Sequence, residues 1–213
     1  FLVRVFFRMN YDEAFKYLNK DPVMKYLIQK VGSEIDLYDR YNENLARALA
    51  DLIIEQQISF KAAITIKNRF SDLTSNLSNK EILNLDNHVI QSIGISFRKV
   101  EYIKNIFYYF LHSNFDFESA TDQKIETELR NIKGVGVWTV EMFMIFILFR
   151  MDIFSKGDIA LINSIKINYR IDSLGGEKLE EIINKWSPFK TIASLLLWKS
   201  IETKEFYGNT LQG

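Results

Sequence analysis

The stretch Ile132-Lys133-Gly134-Val135-Gly136-Val137-Trp138-Thr139, continued through an apolar run to Phe154-Ser155-Lys156-Gly157-Asp158, decides how this chain is read. Two glycines flank one apolar residue, which lets a tight turn bring backbone N–H groups close to a ligand. The run that follows predicts a helix over Val137–Phe149, whose N-terminus would point its first N–H groups at a phosphate. That segment is apolar almost all round, so it is expected to be a central helix. Asp158 follows one helix and one short loop later. As N-cap of a helix over Ile159–Ile171, its carboxylate would complement the positive end of the helix dipole. An anion cradle joined by a helix to a carboxylate would hold a nucleic-acid backbone and place chemistry beside it. An ordinary helix–helix turn followed by a capping aspartate would use the same residues.

Working outward, the composition bounds the answer. At 213 residues the chain suits one large domain or two small lobes with a real core. Hydrophobic residues make up 47%, with nine Gly and two Pro, which fits a compact and mainly helical protein. There is no cysteine, so disulfides, thiolate zinc sites and iron–sulfur clusters are excluded. His88 and His112 are isolated and read as ordinary helix residues. The longest apolar run, Met142 to Phe149, falls far short of the roughly 20 residues that span a bilayer. No secretory signal is evident, and an intracellular, cytoplasmic protein with no membrane partner is expected, nucleoid-associated if bacterial. Because the sequence opens at Phe1, an initiator methionine or a few residues are expected to precede it. Formal net charge is zero, which argues mildly against a DNA grip based on bulk electrostatics. Basic residues nevertheless gather at Lys61, Lys67 and Arg69 and at Arg98, Lys99 and Lys104.

Helix-start signals recur along the chain. Asp21-Pro22 supplies an N-cap and a proline at the first helical position. Asn42 precedes the helical stripe Leu45, Leu49, Leu52, Ile53, and Ser59 is placed to cap Phe60 to Phe70. Ser78 with Glu81 has the spacing of a capping box. Asp86, Ser96 and Thr121 precede further periodic segments, and Glu177–Trp186 and Pro188–Ile201 complete the series. Only Phe1–Phe7 alternates like a strand. The chain reads as all-α, with about ten helices joined by short loops.

Five blocks, in order from about Asn42 onward, resemble the helix-hairpin-helix DNA glycosylases (HhH-GPD), and within them the alkylation-repair branch, DNA-3-methyladenine glycosylase II. Gln56-Gln57-Ile58-Ser59-Phe60-Lys61-Ala62-Ala63 is similar to the family's Gln-Gln-Ile/Leu-Ser-x-Lys-Ala-Ala, and Gly94-Ile95-Ser96-Phe97-Arg98-Lys99 to its Gly-Leu/Ile-Ser-x-x-Lys. The hairpin 132–139 is similar to Leu-Pro-Gly-Ile/Val-Gly-x-Trp-Thr/Ser, and Phe154 to Asp158 to its Phe-x-x-x-Asp loop. Trp186-Ser187-Pro188-Phe189-Lys190 through Leu197-Trp198 is similar to its Trp-x-Pro-Tyr/Trp-Arg…Leu/Ile-Trp.

The resemblance implies a single two-lobed helical unit over 1–213 with a cleft between the lobes. Lobe A would comprise 1–35 plus 150–213, and lobe B 36–149, with the hairpin motif at about 121–149. A compact form without the N-terminal β domain of longer relatives is expected. It implies a flipped nucleotide whose glycosidic bond breaks through an oxocarbenium-like transition state. Asp158 would stabilise that cation and help activate water, and Trp138, Met142 and Trp198 would line the base pocket. Gln57 would fill the gap left by the flipped base. Ser59, Lys61, Ser96, Lys99, Lys133, Gly134, Val135 and Gly136 would contact DNA. A structural Na+ or K+ would bind main-chain carbonyls of Arg130, Ile132 and Val135; no other cofactor is expected. Trp138 stands where bifunctional relatives carry a nucleophilic lysine, so an enzyme without AP lyase activity is expected. Lys133 replaces the hairpin's usual proline.

The reading is therefore a monomeric, monofunctional glycosylase removing alkylated purines from double-stranded DNA. Three alternatives remain at this level: a non-catalytic helix-hairpin-helix DNA-binding module, a glycosylase for oxidised or deaminated bases, and a helical scaffold without a nucleic-acid role.

Overall fold

The computed structural model describes residues 11–208, and the strand expected at Phe1–Phe7 lies outside them. The described residues are helical, without strands. In chain order the helices are α1 (11–18), α2 (Pro22–Val31), α3 (Leu45–Glu55), α4 (Phe60–Thr74), α5 (Asn79–Asn84), α6 (Asn87–Gln91), α7 (Phe97–His112), α8 (Asp122–Arg130), α9 (Val137–Phe146), α10 (Ile159–Tyr169), α11 (Gly176–Asn184) and α12 (Lys190–Thr203). No described helix is long and apolar enough to cross a membrane.

Local chemistry starts most of these helices. The Asp21 carboxylate accepts from the N–H groups of Val23 and Met24, with Pro22 at the first helical position. Ser59, Ser96 and Thr121 each cap the N3 amide of their helix, Asp86 caps the second residue of α6, and Ser78 and Glu81 form the reciprocal capping box. At α3 the cap is Asn44 rather than Asn42; Asn42 makes the preceding turn by accepting from the Asn44 N–H.

The chain forms two compact units, 40–148 and 1–39 with 149–213. In the first, α3 packs against α4, α7 and α9, and α5, α6 and α8 cover α7 and α9. Seven of the ten residues of α9 are buried, so burial rather than an amphipathic pattern fixes that helix. It stops at Phe146, short of Phe149. The N–H groups of Ile147 and Leu148 both donate to the Phe143 carbonyl, and Phe149 turns the chain with φ +54°. Arg47 ties α3 to the end of α4 by donating to the Thr74 hydroxyl and to the carbonyls of Thr74 and Leu77.

In the second unit, α12 packs on α2 and α10. A buried polar cluster joins α10 to α12: the Ser164 and Ser200 hydroxyls lie 2.8 Å apart, and Asn168 donates to the Ser164 carbonyl. Trp186 is fully buried beside Phe154 and Tyr169, and the Tyr169 hydroxyl donates to the Asp21 carboxylate at 2.6 Å.

Candidate functional site

The hairpin belongs to the 40–148 unit. Leu129, Ile132 and Val135 bury their side chains, and the Val135 N–H donates to the Ile132 carbonyl, closing the turn. Its two glycines have different reasons to be glycine. Gly134 has φ +102°, and a Cβ there would lie 2.2 Å from the Tyr102 ring. Gly136 is extended (φ −95°, ψ 174°), a conformation open to any residue, and a Cβ there would meet nothing within 4 Å. No side chain caps α9 at Gly136. An exposed backbone turn at a helix N-terminus without a capping side chain is suited to an anion.

The Lys133 ammonium, which was expected beside a phosphate, donates to Glu101 at 2.6 Å, and that carboxylate raises its pKa. Ser59 and Ser96 use their hydroxyl oxygens to cap α4 and α7, and Lys61 is exposed. The Lys99 ammonium, expected at DNA, donates to the carbonyls of Ile54 (2.8 Å) and Gln56 (2.6 Å) and so satisfies the end of α3. Burial also lowers its pKa. The neighbouring basic residues behave alike: Lys67 pairs with Glu55, Arg69 donates to the Ile93 carbonyl and Lys104 to the Leu85 carbonyl. The basic clusters of the sequence are therefore largely internal ties. Gln57, at φ +58°, stands exposed just beyond α3. Trp138 is half-buried in the first turn of α9. Met142, expected in the base pocket, is 1% exposed and packs as a core side chain of α9.

Asp158 belongs to the other unit. The loop before it is anchored by Thr191: its hydroxyl donates to the Arg150 carbonyl (2.6 Å) and accepts from the Ile153 N–H (3.2 Å), while its N–H donates to the Met151 carbonyl. Asp152 accepts from the Ser187 hydroxyl at 2.7 Å, and Phe154 packs on Trp186. Held by these contacts, Asp158 caps α10. Its Oδ1 accepts from the Leu161 N–H at 3.1 Å and from Trp198 Nε1–H at 3.3 Å. Trp198 thus directs its indole edge at the carboxylate, a contact between residues forty positions apart. Gly157 has open space around it, and Ile159 is 75% exposed, so the segment bearing the acid is accessible. Thr191 and Asp152 were not legible as site residues, because nothing in their local sequence marks a contact with a loop nearly forty positions away.

A family model described as HhH-GPD superfamily base excision DNA repair protein matches residues 50–189, which span both the hairpin and Asp158. The chain belongs to this HhH-GPD superfamily. Among relatives of this HhH-GPD protein, DNA-3-methyladenine glycosylase 1 of Schizosaccharomyces pombe is 30% identical over 175 residues, covering 77% of this chain and 74% of the relative. The solved structure of Schizosaccharomyces pombe 3-methyladenine DNA glycosylase in complex with abasic DNA superposes with a TM-score of 0.81 at 27% identity, over 89% of this chain and 97% of that one. DNA-3-methyladenine glycosidase from Bacillus halodurans matches with a TM-score of 0.70 at 30% identity, over 89% and 90% of the two chains. The HhH-GPD fold of this chain is therefore the fold of those neighbours.

Proposed function

We propose that this HhH-GPD protein is a DNA glycosylase that hydrolyses the N-glycosidic bond of alkylated purines of the 3-methyladenine type in double-stranded DNA, opening base excision repair. The observation that carries this reading is the setting of Asp158, a half-buried carboxylate held at a helix N-terminus by contacts that include the Leu161 amide and the Trp198 indole N–H. A carboxylate so held needs no reorganisation to stabilise an oxocarbenium-like sugar as the glycosidic bond lengthens, and it can orient the water that completes hydrolysis. An alkylated purine already carries positive charge and leaves readily, so a single acid suffices. An indole face such as that of Trp138 attracts a cationic base. The uncapped α9 N-terminus at Gly136 supplies the phosphate contact, and exposed Gln57 occupies the stack vacated by the flipped base.

Trp138 offers no amine where a Schiff-base lysine would stand, so the enzyme is monofunctional and leaves the abasic strand intact. Among the described residues no cluster of His, Cys, Asp or Glu suits a metal. The carbonyls of Arg130, Ile132 and Val135, as hard neutral oxygens, would hold a monovalent cation; that of Ile132 also accepts from the Val135 N–H, and those of Lys133 and Gly134 from Asn105 and Gln56. When bound, that ion would supply positive charge at the hairpin for a phosphate.

The test uses methylated duplex DNA with the intact protein and Asp158→Asn. Base release by the intact protein is expected, falling by about 10²–10³-fold in the variant while duplex affinity is retained. Borohydride should trap no protein–DNA adduct. Failure of the intact protein to release any base from methylated duplex sinks the proposal.

A further inference from the structure

The C-terminus of α3 and the N-terminus of α9 are joined by a side-chain strut. Gln56, the residue that ends α3, sends its Nε2 across to the Thr139 hydroxyl at 2.8 Å and to the Gly134 carbonyl at 3.4 Å. Only the amide nitrogen can face a carbonyl, so the orientation of Gln56 is fixed by Gly134. Thr139 is 1% exposed and lies in the first turn of α9, and Gly134 is the other side of the same turn. Gln56 therefore spans the back of the hairpin from which the phosphate contact would be made. On the same segment, Lys99 donates to the Ile54 and Gln56 carbonyls, two groups the helix itself leaves without partners. The next residue, Gln57, adopts φ +58°, a left-handed conformation that a non-glycine residue holds only when its surroundings impose it.

We infer that Gln56 and Lys99 are positioning residues: they brace the Gln57 turn against the hairpin, so that gripping a phosphate and displacing a base occur in one register. This rests on the glycosylase reading for its functional half, and on geometry alone for its structural half. In this assignment neither residue touches DNA. Lys99 holds the left-handed turn from below, and Gln56 fixes its distance from the α9 N-terminus. A simple phosphate-binding role for Lys99, or ordinary packing by Gln56, would not require Lys99 to hold the carbonyl of the residue before Gln57 while Gln56 reaches Gly134 and Thr139 across Gly136.

The test compares Gln56→Leu, Thr139→Val and the double variant, with Lys99→Met as a probe of the second brace. Two readouts are needed. Hydrogen exchange at the amides of 57–59 reads the brace in the protein alone. Single-turnover base release, with 2-aminopurine beside a flipped nucleotide reporting displacement, reads its use. Faster exchange at 57–59 is expected in each variant, with base displacement reduced by about tenfold, since small misplacements of a positioning group carry such losses. Affinity for undamaged duplex should change little. The double variant should be no worse than Gln56→Leu alone, because Thr139→Val removes only a contact that Gln56→Leu already lacks. Unaltered exchange at 57–59 overturns the strut. Faster exchange with undiminished displacement overturns its coupling to base flipping, as do additive losses in the double variant. If the intact protein displaces no base, the glycosylase reading fails while the exchange measurement still decides the strut.

Discussion

The N-termini of α9 and α10 pose the same electrostatic problem and meet it in opposite ways. Each presents backbone N–H groups and the positive end of a helix dipole. At α10 the chain supplies the anion itself: Asp158 accepts from Leu161, and Trp198 adds a second donor to the same oxygen. At α9 the cap is Gly136, which offers no side chain and has open space where a Cβ would be. A helix end filled by its own carboxylate presents negative charge outward, toward a developing cation. A helix end left to a glycine can accept an anion from outside. One architectural device, used twice with a different capping residue, would serve on the proposed reading as a site for a sugar cation and a site for a phosphate.

Within the hairpin, the contrast between structural and ligand-facing glycines gives the sharpest way to break this comparison. Gly134→Ala must place a methyl against the Tyr102 ring in a backbone conformation L residues avoid, so a loss of about 2–4 kcal/mol is expected, read as a fall in Tm of roughly 5–15 °C. A Tm within a degree of the parent would show that Tyr102 yields easily and that the hairpin geometry is not fixed from beneath. Gly136→Asp is the complementary change, since it converts the α9 terminus into a copy of the α10 terminus. Its stability should hold or rise by about a few tenths of a kcal/mol, because aspartate caps slightly better than glycine. Duplex affinity at low salt should nevertheless fall by about tenfold, equivalent to roughly 1.4 kcal/mol, as the carboxylate occupies the anion position. Unchanged affinity would remove the hairpin as the phosphate anchor.

What the sequence made legible follows the range of the interactions. Capping at Asp21, Ser59, Ser78, Ser96, Thr121 and Asp158 depends on groups two or three residues apart, so composition and spacing reveal it. At α3, Asn42 and Asn44 are chemically alike, and only the turn they form decides that Asn44 is the cap. The end of α9 was misplaced for a different reason: the apolar run continues to Phe149, while the left-handed backbone there is set by tertiary context. Basic residues were the least legible. Lys99, Lys104 and Arg69 look like a nucleic-acid surface in one dimension, but each reaches a carbonyl many residues away. Trp198 was visible as an aromatic at the right place in a motif, yet its bond to Asp158 crosses forty residues and has no local signal. The Thr191 anchor under the Arg150–Ile153 segment is hidden in the same way.

The smallest effect concerns whether α9 acts as an anion site through its backbone alone or with help from a cation. Lys133 stands in the hairpin where a proline is usual in the family it resembles, and Glu101 holds its ammonium at 2.6 Å on an exposed surface. Exposed pairs of this kind contribute little and are screened by salt, so removing the carboxylate should leave stability almost unchanged. Glu101→Gln would instead release one positive charge beside the phosphate position. Duplex affinity at low salt is then expected to rise by roughly two- to fivefold, with the slope of log K against log salt steepening by about one. The gain should vanish at high ionic strength, where counterion release no longer favours the contact. An unchanged slope would mean that Lys133 points away from the phosphate even when freed. The hairpin would then bind through backbone amides only, and the difference between the α9 and α10 termini would lie wholly in the single residue that caps each one.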